Sequence, residues 1–226
     1  MRTPGLRRLA LASLFTIGLS APAAAQNGFW GGDTNTPSLV IDPTDIRIDV
    51  PMPGSSGNLQ LMLAQAGKGV GLAELKQQAV RNYTQHLHSE LARELYEYLE
   101  DEEVPLVKEE GVLSLQNALN LRVIKHLSAM TPKKDYDQEK GDMALTGEFR
   151  YTLKNRSGTA LREQRINIDD LKISSKYIVR TYHDGRDGKD NTEEAIKDAL
   201  STLAEELVES MEDNLEADQL RDMAAL

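Results

Sequence analysis

One glycine-rich stretch of the sequence has the composition of a phosphate-binding loop. The segment Gly67–Gly71 reads Gly-Lys-Gly-Val-Gly and precedes a predicted helix, where backbone amides and the Lys68 ammonium group could hold a phosphate. Its spacing matches neither the P-loop, in which Ser or Thr follows Gly-Lys, nor the dinucleotide fingerprint. We therefore interpret the segment as a flexible hinge, and we predict no cofactor.

A second stretch, the loop from His183 to Asn191, is rich in Asp and Gly, which invites comparison with a calcium-binding loop. The comparison places Gly188 at the sixth position and Glu194 at the twelfth. It also places His183 and Gly185 at the first and third positions, where oxygen ligands belong. The sequence thus favours a polar turn between a strand and a helix, and it predicts no metal site.

Histidines and paired acids are the other candidates for catalysis or metal binding. The four histidines are His86, His88, His126 and His183. His86 and His88 are two residues apart on a predicted helix, so they point about 200° apart and cannot share a metal. No H-E-x-x-H motif or nucleophile elbow is present, and a Ser-His-Asp triad is defined by geometry rather than by spacing. The acid pairs at 102–103 and 109–110 are interpreted as solvated charges. We predict no catalytic residue.

The first 25 residues have the order of a secretory signal peptide. Three arginines precede an apolar run of eleven residues, Leu9–Leu19, and the tripeptide Ala23–Ala25 supplies small residues for cleavage before Gln26. The apolar run is shorter than the roughly 20 residues of a membrane-spanning helix. The expectation is export to a bacterial periplasm, with cleavage after Ala25 and no transmembrane segment.

Cysteine content and charge narrow the range of partners. The sequence contains no cysteine, so neither a disulfide nor a cysteine-linked lipid anchor is expected. Without residues 1–25, which carry three arginines and no acid, the net charge of −10 becomes −13. Such a charge disfavours nucleic acid and anionic lipid as partners.

Periodicity predicts the elements of the remaining chain. Residues 26–57 form a predicted flexible arm with a short edge strand, because Ile46, Ile48 and Val50 alternate with polar residues between prolines. A helical stripe starts at Leu72 and ends near Glu103. A strand is then predicted over Leu119–Ile124, followed by a polar loop over Thr131–Asp142. Three more strands are predicted over Leu145–Leu153, Thr159–Ile168 and Ile173–Tyr182.

A second long helix closes the predicted domain, which spans residues 58–226. Its apolar seam starts at Ile196 and reaches Leu215, and residues 193–226 hold eleven acids and two basic residues. The predicted fold is α+β, with an antiparallel meander sheet of three to four strands packed by two long amphipathic helices. Four apolar residues extend the seam beyond the expected body of the domain and are the candidate partner-binding residues: Leu215, Leu220, Met223 and Leu226.

Three functions are compatible with these features. Export, the lack of a catalytic motif and an acidic terminal helix favour a non-enzymatic accessory or protein-binding protein of the bacterial envelope. A carrier of a small apolar ligand or lipid, held between sheet and helices, is the first alternative. A hydrolase without a recognisable motif is the second.

Overall fold

The computed structural model describes residues 36–52 and 71–225, which belong to one compact unit, Asn35–Leu226. Six strands form in these residues: β1 (Leu39–Ile41), β2 (Asp45–Asp49), β3 (Leu113–Pro132), β4 (Tyr136–Asn155), β5 (Ala160–Asn167) and β6 (Ser174–Tyr182). Five helices form as well: α1 (Leu72–Asp101), α2 (Ile168–Leu171), α3 (Thr192–Glu209), α4 (Glu212–Leu215) and α5 (Ala217–Ala224). The predicted signal peptide, the Lys68 stretch and the predicted boundary after residue 57 lie outside the described residues.

A long hairpin forms the centre of the sheet. β3 and β4 have 20 residues each, pair in antiparallel orientation and are joined by a turn in which the Lys133 amide donates to the Tyr136 carbonyl at 2.8 Å. At about 3.3 Å per residue, each strand is roughly 65 Å long. β1 and β2 lie end to end beside β3 and run parallel to it, whereas β5 and β6 lie end to end beside β4 and run antiparallel to it. The sheet is therefore four rows wide.

The helices cover one face of this sheet. The odd-numbered residues of β3 from Leu113 to Val123 are buried, while the even-numbered ones are half-buried or exposed, as expected for a sheet with one solvated face. α1 packs its apolar stripe against the buried face, and α3 packs beside α1. Four leucines one helical turn apart carry the α1 contact and are buried: Leu87, Leu91, Leu95 and Leu99.

A short helix separates β5 from β6 along the edge of β4. The Asn167 side chain accepts a hydrogen bond from the Asp169 amide and caps α2, which lasts for one turn. In β4 next to this break lies Gly147, with a φ of 140°, and a Cβ atom there would meet the Asn120 carbonyl oxygen at 2.1 Å. Only glycine fits both the backbone conformation and the close approach to β3.

The chain after α3 turns back toward the sheet. The Asn214 amide donates to the Tyr151 hydroxyl at 2.7 Å and to the Gln164 side chain at 2.9 Å, and the Asn214 carbonyl accepts from Arg162. The Tyr98 hydroxyl on α1 donates to a backbone carbonyl of α4 at 3.1 Å. These contacts hold α4 and α5 on the face of the sheet that the helices cover, which we call the inner face. The predicted C-terminal helix is therefore divided into three helices, α3, α4 and α5.

The α+β class is confirmed, and its details require correction. Over the described residues the sheet has six strands instead of three to four, and it is not a purely antiparallel meander, because β1 and β2 run parallel to β3. The predicted pair of long helices is also wrong in detail: helices of 30 and 18 residues are followed by two short ones. Most of the predicted polar loop at 131–142 is strand, because its residues pair with the other arm of the hairpin and with β6.

Candidate partner-binding edge

At one end of the sheet, β3 extends beyond the end of its neighbour β2. β2 ends at Asp49, which is in register with Arg122 of β3, and the Lys76 ammonium near the start of α1 lies 2.9 Å from the Asp49 carboxylate. β3 continues for ten residues past this level, to Pro132. We call residues 123–132 of β3 the distal edge, because no described residue pairs with them on the β2 side.

Two residues of the distal edge direct backbone groups to the side away from β4, where no described residue pairs with them. On this side of β3, the Leu113 amide donates to Ser38 O at 3.0 Å, and the Leu115 carbonyl accepts from the Asp42 amide at 2.9 Å. Alternate residues of a strand turn their backbone groups to the same side, so Lys125 and Leu127 direct theirs away from β4. Within residues 36–52 and 71–225, neither residue has a backbone partner on that side.

Other edges of the described sheet are protected against pairing. β2 presents charges at every second residue, and β5 carries three charged residues in a row of four, Arg162–Arg165. β6 is covered by the loop that follows it, because the Arg180 amide donates to the Lys189 carbonyl at 2.7 Å. The distal edge has only one lysine, Lys125, and no acid.

Two large apolar side chains of the distal edge face solvent together. Leu127 is 58% exposed and Met130 is 57% exposed. They lie on the same face of the hairpin, since a bulge at Ser128 shifts the register between their partners, Gly141 and Glu139. An exposed pair of this kind, on a strand end that the described residues leave unpaired on one side, is typical of an interaction site.

Lys125 is held away from the open edge. Its ammonium group lies 2.7 Å from the largely buried Glu139 carboxylate and 4.6 Å from the centroid of the Tyr177 ring. The Tyr177 hydroxyl donates to the same carboxylate at 2.9 Å. Burial, and then the hydrogen bond to Glu139, raise the Tyr177 pKa. The lysine that would otherwise protect this edge therefore points into the inner face.

The residues predicted to bind a partner lie elsewhere. Leu215 on α4 and Leu220 and Met223 on α5 are buried in the core, and Leu226 lies outside the described residues. Sequence reasoning placed them beyond the domain because it did not anticipate the Asn214 contacts. Partner binding through these four residues stays a prediction.

A serine–histidine contact bears on the hydrolase alternative. His86 Nε2 on α1 lies 3.1 Å from the Ser201 hydroxyl on α3 and 3.3 Å from the Lys197 carbonyl. The serine sits inside a helix, whose interior amides already donate to carbonyls one turn earlier, so the helix offers no free amides for an oxyanion. The nearby Glu90 carboxylate pairs with Arg93, which lowers the Glu90 pKa. We interpret this contact as a polar link between two helices.

The other histidines pair with single carboxylates. His126 Nδ1 lies 3.1 Å from Asp142, and His183 Nε2 lies 3.4 Å from Asp137. In the part of the chain that the structure describes, no three side chains of metal-binding type converge. The polar turn predicted over 183–191 is present there and folds back onto β6.

One cleft formed by described residues is too small and too acidic to favour binding of an apolar ligand. A cleft of about 270 Å³ lies beside the start of α3 and is lined by Met52, Tyr83, Asp190 and Glu193 among others. Its volume is below the range of about 300–1,000 Å³ for small-molecule pockets, and two carboxylates line it. Burial, and then these carboxylates, raise the Tyr83 pKa to about 12.

The bare face of the sheet holds broader, open depressions. One of about 450 Å³ is lined by Arg47, Asn120 and Arg122 among others. Its charged groups have partners, because Arg122 lies 3.7 Å from Asp49 and Arg47 lies 3.5 Å from Asp45. These are exposed ion pairs of a solvated sheet face.

Comparisons with known proteins identify no family. No protein-family model matches the chain, and no curated protein matches it. Among solved structures, it is similar to a protein described as a neuraminyllactose-binding hemagglutinin homolog from Helicobacter pylori, with 12% identity and a TM-score of 0.45, over 84% of this chain and 91% of that one. It is also similar to a minor lipoprotein from Acinetobacter baumannii, with 11% identity and a TM-score of 0.31, over 82% and 94%. Likeness at these values carries no argument about function.

Over the described ranges, no helix combines the length and the apolar character that crossing a bilayer requires.

Proposed function

We propose that the chain is an exported, non-catalytic binding protein of the bacterial envelope, delivered to the periplasm by residues 1–25, and that it acts through protein contacts at the distal edge. The observation that supports the proposal is a strand end that no residue within 36–52 and 71–225 pairs on its outer side and that carries two exposed apolar side chains, Leu127 and Met130. The sequence features of export and acidity are compatible with it.

The chemistry of the distal edge favours a strand as the bound element. Backbone donors and acceptors along an open strand bind an added strand, and side-chain pockets on alternate residues give specificity. Leu127 and Met130 supply apolar anchors on one face, while the Lys125–Glu139 pair keeps charge out of the contact. A solvated polar surface would not need this arrangement.

The proposal is tested by comparative capture from a periplasmic extract. Immobilised wild-type protein is compared with Leu127→Lys and Met130→Lys, and with Tyr96→Lys as the matched control, because Tyr96 is 52% exposed and lies on α1, outside the distal edge. We expect one set of proteins to be retained by the wild type and by the Tyr96 variant, and to be lost from both edge variants. Equal retention by all four proteins, or no specific retention by any, would contradict the proposal.

A further inference from the structure

We propose that the distal edge pairs with the distal edge of a second copy of this chain, in antiparallel orientation about a two-fold axis between Ser128 and Ala129. This inference rests on the proposed function and names the partner. It starts from the pattern of side chains on the edge, which is self-complementary in this orientation.

The register follows from the positions of the apolar residues. In an antiparallel pair, residues directly opposite each other lie on the same face. An axis between Ser128 and Ala129 places Leu127 opposite Met130 of the second copy, and Met130 opposite Leu127 of the second copy. Each exposed apolar side chain thus meets the other type, and both pairs lie on the face of Lys125 and Glu139, where the bulge places Met130 together with Leu127.

Charge along the edge permits the same pairing. Residues 123–132 contain no acid and one lysine, so no like charges face each other. In the proposed register, Lys125 lies opposite Pro132 of the second copy, and His126 lies opposite Thr131. A strongly acidic or basic peptide would gain no ion pair from this edge. The edge of a second copy is equally poor in charge, so its binding requires no ion pair.

The length of the contact sets its strength. Eight paired residues per copy extend over about 26 Å, which is short for a stable interface. The bulge at Ser128 and the missing amide of Pro132 also interrupt the ladder. We therefore expect a weak dimer whose population depends on protein concentration, with closed two-fold symmetry.

Sedimentation of the full chain tests the association. We expect the wild type and Tyr96→Lys to shift from monomer to dimer with rising concentration, and Leu127→Lys to dissociate at least tenfold more readily. Circular dichroism spectra of the three proteins establish that each is folded. Wild-type protein that remains monomeric at all concentrations, or a dimer that Leu127→Lys leaves unchanged, would overturn the inference.

Single cysteines test the register, because the chain has none of its own. Oxidation of a mixture of Leu127→Cys and Met130→Cys should give a covalent dimer between the two variants, since these positions are opposite each other. Each variant alone should cross-link far less, and a mixture of Tyr96→Cys with Val112→Cys should not cross-link. Equal cross-linking in all samples would overturn the register.

The outcomes separate this inference from the proposed function. Monomeric wild-type protein that still retains other proteins through Leu127 and Met130 would refute self-pairing and leave the binding function standing. Monomeric protein whose Lys125 and Leu127 amides are protected from hydrogen exchange at every dilution would refute both.

Discussion

Substitution of Asn214 tests what holds the C-terminal helices on the sheet. Asn214 is buried and lies at the break between α3 and α5. Its amide donates to Tyr151 and Gln164, and its carbonyl accepts from Arg162. Asn214→Ala removes all three hydrogen bonds and leaves a small void.

The magnitude follows from these partners. Two neutral hydrogen bonds contribute about 1 kcal/mol each, and a bond to a charged group contributes about 1.5–3 kcal/mol. Arg162 and Gln164 are exposed and can rebind water, and the Tyr151 hydroxyl still donates to Gln164 at 2.8 Å. We therefore expect a loss of about 2–3 kcal/mol, which corresponds to a fall in Tm of roughly 5–10 °C for a chain of this size.

Thermal and urea denaturation of the full chain measure this loss. Asn120→Ala is the matched control, since Asn120 is an exposed asparagine on the bare face of β3. We expect the control to remain within about 0.5 kcal/mol of the wild type. If Asn214→Ala is no less stable than Asn120→Ala, the buried polar contacts are not what fixes α4 and α5.

Three further predictions concern the sheet and the cleft. In Gly147→Ala, the added Cβ would lie 2.1 Å from the Asn120 oxygen at a φ of 140°. The free energy of unfolding should therefore fall by more than about 3 kcal/mol, and a variant that is as stable in urea as the wild type would contradict this. The pKa of the buried Tyr83 is raised to about 12, so wild-type stability should fall as pH rises from 10 to 12. A Tyr83→Phe variant whose stability falls equally steeply would refute the contribution of Tyr83 to this pH dependence. Lys125→Met removes a charged partner of Glu139 and should lower the free energy of unfolding by about 3–5 kcal/mol. In the same assay, the double variant Lys125→Met with Glu139→Gln should regain part of this loss.

The sequence predicts the regular parts of the fold well. The leucine stripe of α1 and the alternation in β4 each repeat over many residues, and the structure has a helix and a strand there. The extension of β4 through 137–142 could not be predicted, because these residues are polar, charged or glycine and do not alternate with apolar ones. Their strand conformation depends on pairing with β6, which is distant in sequence.

The candidate site was beyond sequence reasoning for a related reason. Leu127 and Met130 are three residues apart, which is not the spacing of residues on one face of a regular strand. Only the bulge at Ser128 places them together, and a bulge is a property of the pairing between β3 and β4. The absence of acids between residues 123 and 132 was the one available signal.

Amide hydrogen exchange at the distal edge tests the central claim most directly. In dilute wild-type protein, we predict fast exchange for the amides of Lys125 and Leu127, which face away from β4, and slow exchange for His126, which faces it. Raising the protein concentration should slow the first two selectively. Slow exchange of Lys125 and Leu127 at every dilution would contradict the claim that this strand end is open.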